Sequence, residues 1–373
     1  MVRLIYFSIV LYTILVSLVL GQKPVTELFQ DVNTQNNDDG GCGYVGLDNL
    51  NKIVRDAHDM ASGARSMLGS YGQDDRWKRI LEAFFNRENP DNALSSSQRL
   101  TIRDRYGGVR SWLRNGGPVN AGTVQEKPHL FCDSNFLIRK SMEDDAIQKD
   151  GTNVKDGKGN NMKINQIEAY TKEQRDTARR LSTSTETVST ADVVPYWNKL
   201  SNSYEFDRNN RARVDSGPCY DGSTVSGFTK PSSPFPYIVL CPRSFGLRQS
   251  TKENTWSYKP FQLASSDRPS GQEIGTVARV DNGEVDTFRR LGSIKPTAGT
   301  FFHEMFHLVH GKAGSYPRRG EVYQVSAILQ AAYSVSSVNP ETYAQMAIAL
   351  ANTLEQDLDG MDLNWHTGYA TSD

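Results

Sequence analysis

The segment His303-Glu304-Met305-Phe306-His307 spaces two imidazoles and one carboxylate so that they can perform metal-dependent chemistry. An α-helix advances about 100° per residue, so His303 and His307 lie on one face and can reach a common zinc ion. Glu304 lies beside them, within reach of a water molecule that the zinc acidifies. A carboxylate in that place takes a proton as the water attacks a carbonyl, which is the chemistry of zinc proteases.

The sequence around these side chains predicts a buried helix with a bound metal. The residues that fill the helix are apolar, namely Met305, Phe306, Leu308 and Val309. A buried histidine needs a polar partner, and a metal ion supplies one. The alternative is a helix that carries two histidines without a metal. Three of the six histidines cluster here, which favours the metal site.

Several further elements are predicted to surround this helix, which starts near Pro296 and ends near Gly311. Apolar residues at three- and four-residue spacing predict a long helix over 47–68, and Asp74 is placed to cap a helix that ends near residue 85. The same reasoning predicts helices over 95–113, 321–334 and 340–354, and short strands over 130–132 and 236–242. The pattern therefore indicates an α+β fold that is mainly helical.

The start of the chain is typical of a secretory signal peptide. Residues 1–21 combine Arg3, an apolar run and small residues before Gln22, where cleavage is expected. The alternative is an uncleaved membrane anchor, because the run is close to the minimum length of a membrane span. Polar residues 22–41 are predicted to form a flexible leader or part of a propeptide. Residues 42–373 are predicted to form one domain with exposed insertions around 144–190 and a tail after Gly360 that is poorly ordered or packed as a loop.

The net charge limits the classes of binding partner, and the cysteine content indicates the compartment in which the protein folds. The net charge is −1, so no nucleic acid or anionic membrane surface is expected as a partner. Four cysteines in a secreted chain predict two disulfides. Three pairings are possible, and the favoured one joins Cys219 to Cys241 across a short loop and Cys42 to Cys132. We expect an extracellular monomer that acts on a protein or peptide and has no membrane contact after signal cleavage.

The HExxH run over residues 300–308 resembles the active-site helix of the fungal secreted metalloproteases of the deuterolysin class, also called aspzincins. That class includes lysine-specific metalloendopeptidases. Glu321-Val322-Tyr323 resembles the second catalytic segment of that class, and Asn339-Pro340-Glu341-Thr342-Tyr343-Ala344 resembles the helix start that follows it. Two further segments resemble its cysteine-bearing strands: Leu130-Phe131-Cys132-Asp133 and Ile238-Val239-Leu240-Cys241-Pro242. The resemblance implies a mainly helical, zincin-like α+β domain with a small sheet and a bound zinc.

The chain departs from that class at the third zinc ligand. The class has an aspartate three residues before the tyrosine, and Gly320 stands at this position before Tyr323. The favoured replacement is Glu321, which would give coordination by two histidines and a glutamate. His310 shares the helix face, but three ligands along one straight helix spread over about 10 Å, too far for one ion. Without a third ligand, the chain would be a catalytically degenerate relative.

The expected function is that of a secreted zinc-dependent endopeptidase. Glu304 would act as general base, and Tyr323 would stabilise the oxyanion that forms at the scissile carbonyl. Each remaining residue has a plainer interpretation: Tyr323 as an aromatic core residue, Glu321 as an exposed acid at a helix start, and His310 as a cation at a helix end. The alternative function is a catalytically inactive secreted protein that acts as a binding or surface factor. A hydrolase of non-peptide amides is a third possibility that no residue singles out.

Overall fold

The chain forms a mixed α+β fold, as the sequence predicts. The computed structural model describes residues 22–86, 93–181, 193–207, 217–232, 235–251, 256–264, 267–269, 272–276, 287–317, 320–354 and 363–372. These residues contain nine α-helices and three small sheets and are about 43% helical. No helix within these ranges has the length and apolar character that a membrane span requires. The predicted signal peptide lies outside the described residues.

Helices supply most of the core. In chain order they are α1 (Val25–Leu28), α2 (Leu47–Gly69), α3 (Asp75–Phe85), α4 (Ser96–Asn115), α5 (Glu168–Leu181), α6 (Ala298–Ser315), α7 (Val325–Ile328), α8 (Tyr333–Ser336) and α9 (Pro340–Leu354). The predicted helices over 47–68, 75–85, 95–113 and 340–354 are confirmed. Asp74 caps α3 as expected, because its carboxylate accepts a hydrogen bond from the backbone N–H of Arg76 at 2.9 Å.

Helix α6, which carries the HExxH segment, lies in the middle of the fold. It contacts α2, α4 and α9 on one side and the strands near residues 227–240 on the other. Most of its apolar residues are fully buried, which confirms the expectation of a buried helix, and Val309 is partly buried. The large apolar side chains that are fully buried are Phe301, Phe302, Met305, Phe306 and Leu308. The hydroxyl of Tyr106 on α4 donates to the carbonyl of Tyr343 on α9 at 2.8 Å, so the two neighbouring helices are fixed to each other across the Phe306 ring.

Three three-stranded sheets complete the fold. The strands are β1 (His129–Phe131), β2 (Leu137–Arg139), β3 (Val194–Asn198), β4 (Ser203–Asp207), β5 (Gly227–Lys230), β6 (Tyr237–Leu240), β7 (Gly275–Thr276), β8 (Leu363–Asn364) and β9 (Thr371–Ser372). The sheet that packs on α6 has the order β1-β6-β5, with β6 parallel to β1 and antiparallel to β5. The predicted strands β1 and β6 are confirmed, and β5 forms an edge of this sheet.

Two disulfides lie next to the sheet that packs on α6. Cys42 is bonded to Cys132 and Cys219 to Cys241, which confirms the favoured pairing. The first bond joins the segment before α2 to the end of β1, and the second ties the end of β6 to a turn that precedes β5. Both bonds therefore brace the sheet that lies against α6.

The polar segment after residue 21 differs from the expected flexible leader. Its short helix α1 and the next residue bury Val25, Leu28 and Phe29 in the main core. The Phe29 ring lies 5.3 Å from the ring of Trp112 and 6.0 Å from that of Phe301 on the site helix. Burial of these three apolar side chains is enough to anchor the segment. The mainly polar composition of residues 22–41 does not reveal them.

The insertion and the C-terminal tail also contain ordered structure. Residues 144–163 fold back through isolated bridges, and a small separate core forms beneath them around Ala146, Ile164 and Tyr170. Residues 182–190 of the predicted insertion lie outside the described residues. The tail was expected to be a loop or poorly ordered, but β8 and β9 pair there and Trp365 is fully buried in the main core.

The prediction of one helix over 321–334 is wrong. Gly320 has φ of 89°, a left-handed backbone conformation that favours glycine, and Glu321 to Tyr323 follow without helical hydrogen bonding. Only the single turns α7 and α8 form further along. The residue after Gly320, Glu321, contacts His303 and His307 on α6.

Burial of Trp365 predicts that the C-terminal tail contributes to global stability. Trp365→Ala should lower the free energy of unfolding by about 3–5 kcal/mol, because it leaves a large cavity in the main core. Leu100→Ala, at an exposed position, is the control and should change it by less than about 0.5 kcal/mol. Urea unfolding followed by circular dichroism measures both. Equal small effects for the two variants would show that the tail is not part of the core.

Candidate metal centre

The two histidines of the HExxH segment point at each other from one face of α6. The Nε2 atoms of His303 and His307 are 3.2 Å apart, and both side chains are buried. One helical turn separates the two residues, so the helix itself sets this distance. The predicted convergence of the two imidazoles is therefore present in the structure.

Glu321 completes the group from the other side. Its Oε2 lies 3.2 Å from His303 Nε2, and its Oε1 lies 3.0 Å from His307 Nε2. The three residues together could hold a metal ion, since their ligand atoms lie within 4.8 Å of one another. Ligands 2.0–2.1 Å from a tetrahedral metal are roughly 3.3 Å apart, so the observed triangle has the size of one face of such a tetrahedron.

Asn339 fixes the segment that carries Glu321. The Asn339 side chain accepts a hydrogen bond from the backbone N–H of Val322 at 3.1 Å and donates to its carbonyl at 2.9 Å. Asn339 is itself buried, immediately before α9. This pair of hydrogen bonds fixes the backbone of Val322, as pairing with a neighbouring strand would. Gly320 adopts a conformation that suits glycine, and the carboxylate that could bind a metal belongs to the next residue, Glu321.

Both imidazoles are also held at their other nitrogen. His303 Nδ1 lies 2.9 Å from Oε2 of Glu341, in the first turn of α9. His307 Nδ1 lies 3.0 Å from Oγ of Ser315, at the end of α6. Partners at Nδ1 orient a histidine so that Nε2 faces the centre, as they do around metal ligands in general. The rings are therefore set for a common ligand at Nε2.

The charges around the centre are strongly coupled. Burial opposes ionisation of Glu321, but hydrogen bonds from His303 and His307 outweigh it and hold the pKa of Glu321 below its usual range. Burial likewise disfavours the imidazolium of His303, yet Glu321 and Glu341 prevail and raise the pKa of His303 well above its usual value. Positive charge at the centre is therefore favoured, whether as protons or as a cation.

Glu304 lies beside the centre on the sheet side. The hydroxyl of Thr229 on β5 donates to Glu304 Oε2 at 2.7 Å, which leaves Oε1 as the atom with no hydrogen-bond partner among the described residues. Burial raises the pKa of Glu304, and the two imidazoles oppose that rise. Gly227 allows the close approach, because a Cβ there would come within 2.7 Å of Thr300 Cγ2 and 3.3 Å of Glu304 Cγ.

Two tyrosines flank the imidazoles. The Tyr323 ring stacks on His303 at 5.8 Å, and its hydroxyl donates to Glu321 Oε2 at 2.5 Å. Its side chain is 61% exposed, so the alternative of an aromatic core residue is wrong. The Tyr316 ring stacks on His307 at 4.0 Å and is partly exposed. An exposed tyrosine thus covers each ligand imidazole.

His310 is not part of the centre. Its Nε2 lies 3.0 Å from the backbone carbonyl of Arg105 on α4, to which it donates. Burial lowers the pKa of His310 to about 4, so the side chain is neutral at pH 7. His310 therefore lies outside the metal-binding group, as its position along the helix predicts, and its interpretation as a cation at the helix end is wrong.

Four residues of the site were not identified from the sequence: Thr229, Ser315, Tyr316 and Glu341. Glu341 was visible only as an acid at a helix start, where the helix dipole already explains its presence. Ser315 and Tyr316 follow a bend at Gly311 that local spacing does not reveal. Thr229 is distant in the sequence and reaches the site only because β5 packs on α6.

Comparison of the chain with protein families, curated proteins and solved structures yields no match. The interpretation of the site therefore depends on its own geometry. That geometry comprises two buried imidazoles, the largely buried Glu321 carboxylate, a second carboxylate beside them and two exposed aromatic rings.

Removal of the Glu321 charge should weaken metal binding. We expect Glu321→Gln to raise the dissociation constant for zinc by about 100-fold or more, because a neutral amide replaces the anionic ligand. Isothermal titration calorimetry with zinc measures this constant. Glu126→Gln removes an exposed glutamate away from the centre and is the matched control. Equal affinity of the two variants would contradict the assignment of Glu321.

The low pKa of His310 predicts a specific pH dependence of stability. The unfolded chain takes up a proton at His310 near pH 6.5, whereas the folded chain does so only near pH 4. The free energy of unfolding should therefore fall between pH 6.5 and pH 4, by about 3 kcal/mol from this group, and this contribution should level off below pH 4. Urea unfolding of wild type and His310→Gln across this range measures it. A wild-type pH slope no steeper than that of the variant would contradict this account.

Proposed function

We propose that this protein is a secreted zinc-dependent endopeptidase of deuterolysin-like type with a zincin-like fold. The observation that carries the proposal is the convergence of His303 Nε2, His307 Nε2 and the Glu321 carboxylate at 3.0–3.2 Å. The carboxylate of Glu304 stands next to this group on the same helix. These four side chains are of the types that metal-dependent hydrolysis uses, namely three metal ligands and a general base.

Zinc is the metal that this donor set fits best. Two imidazoles and one carboxylate are the protein ligands of many catalytic zinc sites, which keep a further position open for water or substrate. The Nδ1 partners Glu341 and Ser315 complete the outer contacts that such sites use. Zinc bound at this site would act as a Lewis acid that acidifies water and polarises the scissile carbonyl.

Glu304 is assigned the proton transfers. Its Oε2 is held by Thr229, so Oε1 is the atom proposed to take the proton of the attacking water. The same carboxyl then gives that proton to the leaving amine as the peptide bond breaks. Thr229 keeps the carboxylate from rotating away between the two steps.

Tyr323 is assigned to charge stabilisation at the carbonyl oxygen. Its ring is exposed and its hydroxyl already lies beside the centre, where it donates to Glu321. A substrate carbonyl that enters the centre offers the phenol a second acceptor that gains negative charge during attack. The hydrogen bond to that oxygen strengthens as the charge develops, which lowers the barrier.

A peptide is favoured over another amide because of β5. This strand forms the edge of its sheet, pairs only with β6 among the described residues and carries Thr229 beside Glu304. An extended peptide can add to such an edge through main-chain hydrogen bonds. The two disulfides support folding in an oxidising compartment, and this agrees with the predicted secretion.

The second candidate function is a catalytically inactive secreted protein that binds a partner. The glycine at position 320, in place of the aspartate of the resembled class, is the observation that favours it. The position of Glu321 favours the enzyme instead, because its carboxylate lies where that ligand is needed. Metal content separates the two: about one zinc per purified chain supports the enzyme, and none at micromolar zinc supports the inactive protein.

The role of Glu304 gives a direct test. Glu304→Gln should reduce peptide hydrolysis by about 100- to 10,000-fold, because it removes the proton acceptor, and should leave zinc content unchanged. Hydrolysis of a casein substrate and metal analysis of the same samples measure both. Glu126→Gln is again the control, and removal of zinc by a chelator should abolish wild-type activity. Proteolysis at the wild-type rate by Glu304→Gln would refute the proposed function.

A further inference from the structure

The segment Gly311 to Tyr316 forms an unusual end to the site helix. Helix α6 continues to Ser315, but Gly311 inside it has φ of 64° and ψ of −177°, which bends the chain. A Cβ at Gly311 would lie 1.9 Å from Oδ1 of Asn120, so only glycine fits there. The bend turns the end of the helix back over His307.

The bend is held by the turn around Asn120. The backbone N–H groups of Asn120 and Ala121 donate to the carbonyls of Leu308 and Val309, both at 2.7 Å. These two carbonyls belong to the turn that follows His307 and would otherwise lack partners once the helix bends. The turn therefore fixes both the direction of the bend and the position of the residues beyond it.

The bend brings the Ser315 hydroxyl to His307. Ser315 is buried, and its Oγ donates its only proton to the carbonyl of Gly311 at 2.7 Å. The same oxygen lies 3.0 Å from His307 Nδ1 and can only accept there. His307 must then carry a proton on Nδ1, so Nε2 is the nitrogen whose lone pair is available to a metal ion.

We infer that Ser315 is a positioning residue that selects the metal-binding tautomer of His307. Nothing else among the described residues contacts His307 Nδ1. The two ligand histidines are thus fixed by different means, since His303 Nδ1 meets the charged Glu341 and His307 Nδ1 meets a neutral hydroxyl. This inference rests on the proposed function for its zinc, but it does not require that the protein cleave peptides.

The proposal is tested by Ser315→Ala, with Ser315→Thr as the conservative variant that keeps a hydroxyl. Ser336→Ala is the matched control, because Ser336 is buried and its hydroxyl has no hydrogen-bond partner among the described residues. Titration with zinc alone should give a dissociation constant about 10- to 100-fold higher for Ser315→Ala, as for other outer contacts of metal ligands. Ser315→Thr and Ser336→Ala should bind zinc as the wild type does.

A second readout follows the Nδ1–H protons directly, in the wild type and in Ser315→Ala. In proton–nitrogen NMR spectra of the zinc-loaded wild type, the Nδ1–H of His307 should be visible and protected from exchange with water. In Ser315→Ala that signal should be lost to exchange, whereas the Nδ1–H of His303 persists because Glu341 still accepts it. If Ser315→Ala does not fold, the wild-type spectrum still shows which nitrogen of His307 carries the proton, and a proton on Nε2 would overturn the inference.

The outcomes separate this inference from the proposed function. Unchanged zinc affinity and a persistent His307 signal in Ser315→Ala would overturn the inference even in an active protease. A wild-type proton on Nε2 of His307, or no zinc binding by the wild type, would overturn it as well. Loss of affinity in Ser315→Ala together with an absence of proteolysis in the wild type would uphold the inference and refute the endopeptidase.

Discussion

The structure depends on one electrostatic constraint, the meeting of three electron-rich groups in a buried space. Nε2 of His303, Nε2 of His307 and the carboxylate of Glu321 face one another at 3.0–3.2 Å. Each imidazole has its other nitrogen engaged by Glu341 or Ser315, so each Nε2 faces inward. Such a cluster is stable only with positive charge between its members. A single divalent cation can supply that charge, and the spacing of the three groups matches one face of a tetrahedral metal site.

Much of the surrounding fold can be understood as support for this cluster. Aromatic packing against α6 holds the two histidines, and the close approach of β5 at Gly227 brings Thr229 to Glu304. Glu321 arrives on an extended segment that Asn339 clamps by its backbone. The ligands therefore come from a rigid helix and from a segment with a fixed main chain, which limits the motion of the centre.

The local features of the site could be predicted from the sequence, and the distant ones could not. His303, Glu304 and His307 are related by helical spacing alone, so their mutual geometry follows from the periodicity of an α-helix. Glu321 was favoured because of a family resemblance, and the helix expected to begin with it does not form. Gly320 and the Asn339 side chain decide the conformation of that segment, and neither effect is visible in a pattern of apolar residues. Glu341 lies 38 positions beyond His303, and only tertiary packing brings them together.

The same distinction explains the other differences. Long amphipathic helices such as Leu47–Gly69 were predicted well, because burial of their apolar face follows from sequence. Polar segments with a few large apolar residues were predicted poorly. Phe29 and Trp365 each bury a large aromatic surface that outweighs the polarity of the residues around it. A composition average over such a segment hides the side chains that fix it.

The most direct test of the central claim is the location of the metal in a crystal of zinc-loaded protein, from anomalous diffraction at the zinc absorption edge. We expect one strong peak per chain, about 2 Å from His303 Nε2, from His307 Nε2 and from a carboxylate oxygen of Glu321. A peak elsewhere, or a zinc-soaked crystal in which the three side chains keep their mutual contacts with no peak between them, would contradict it.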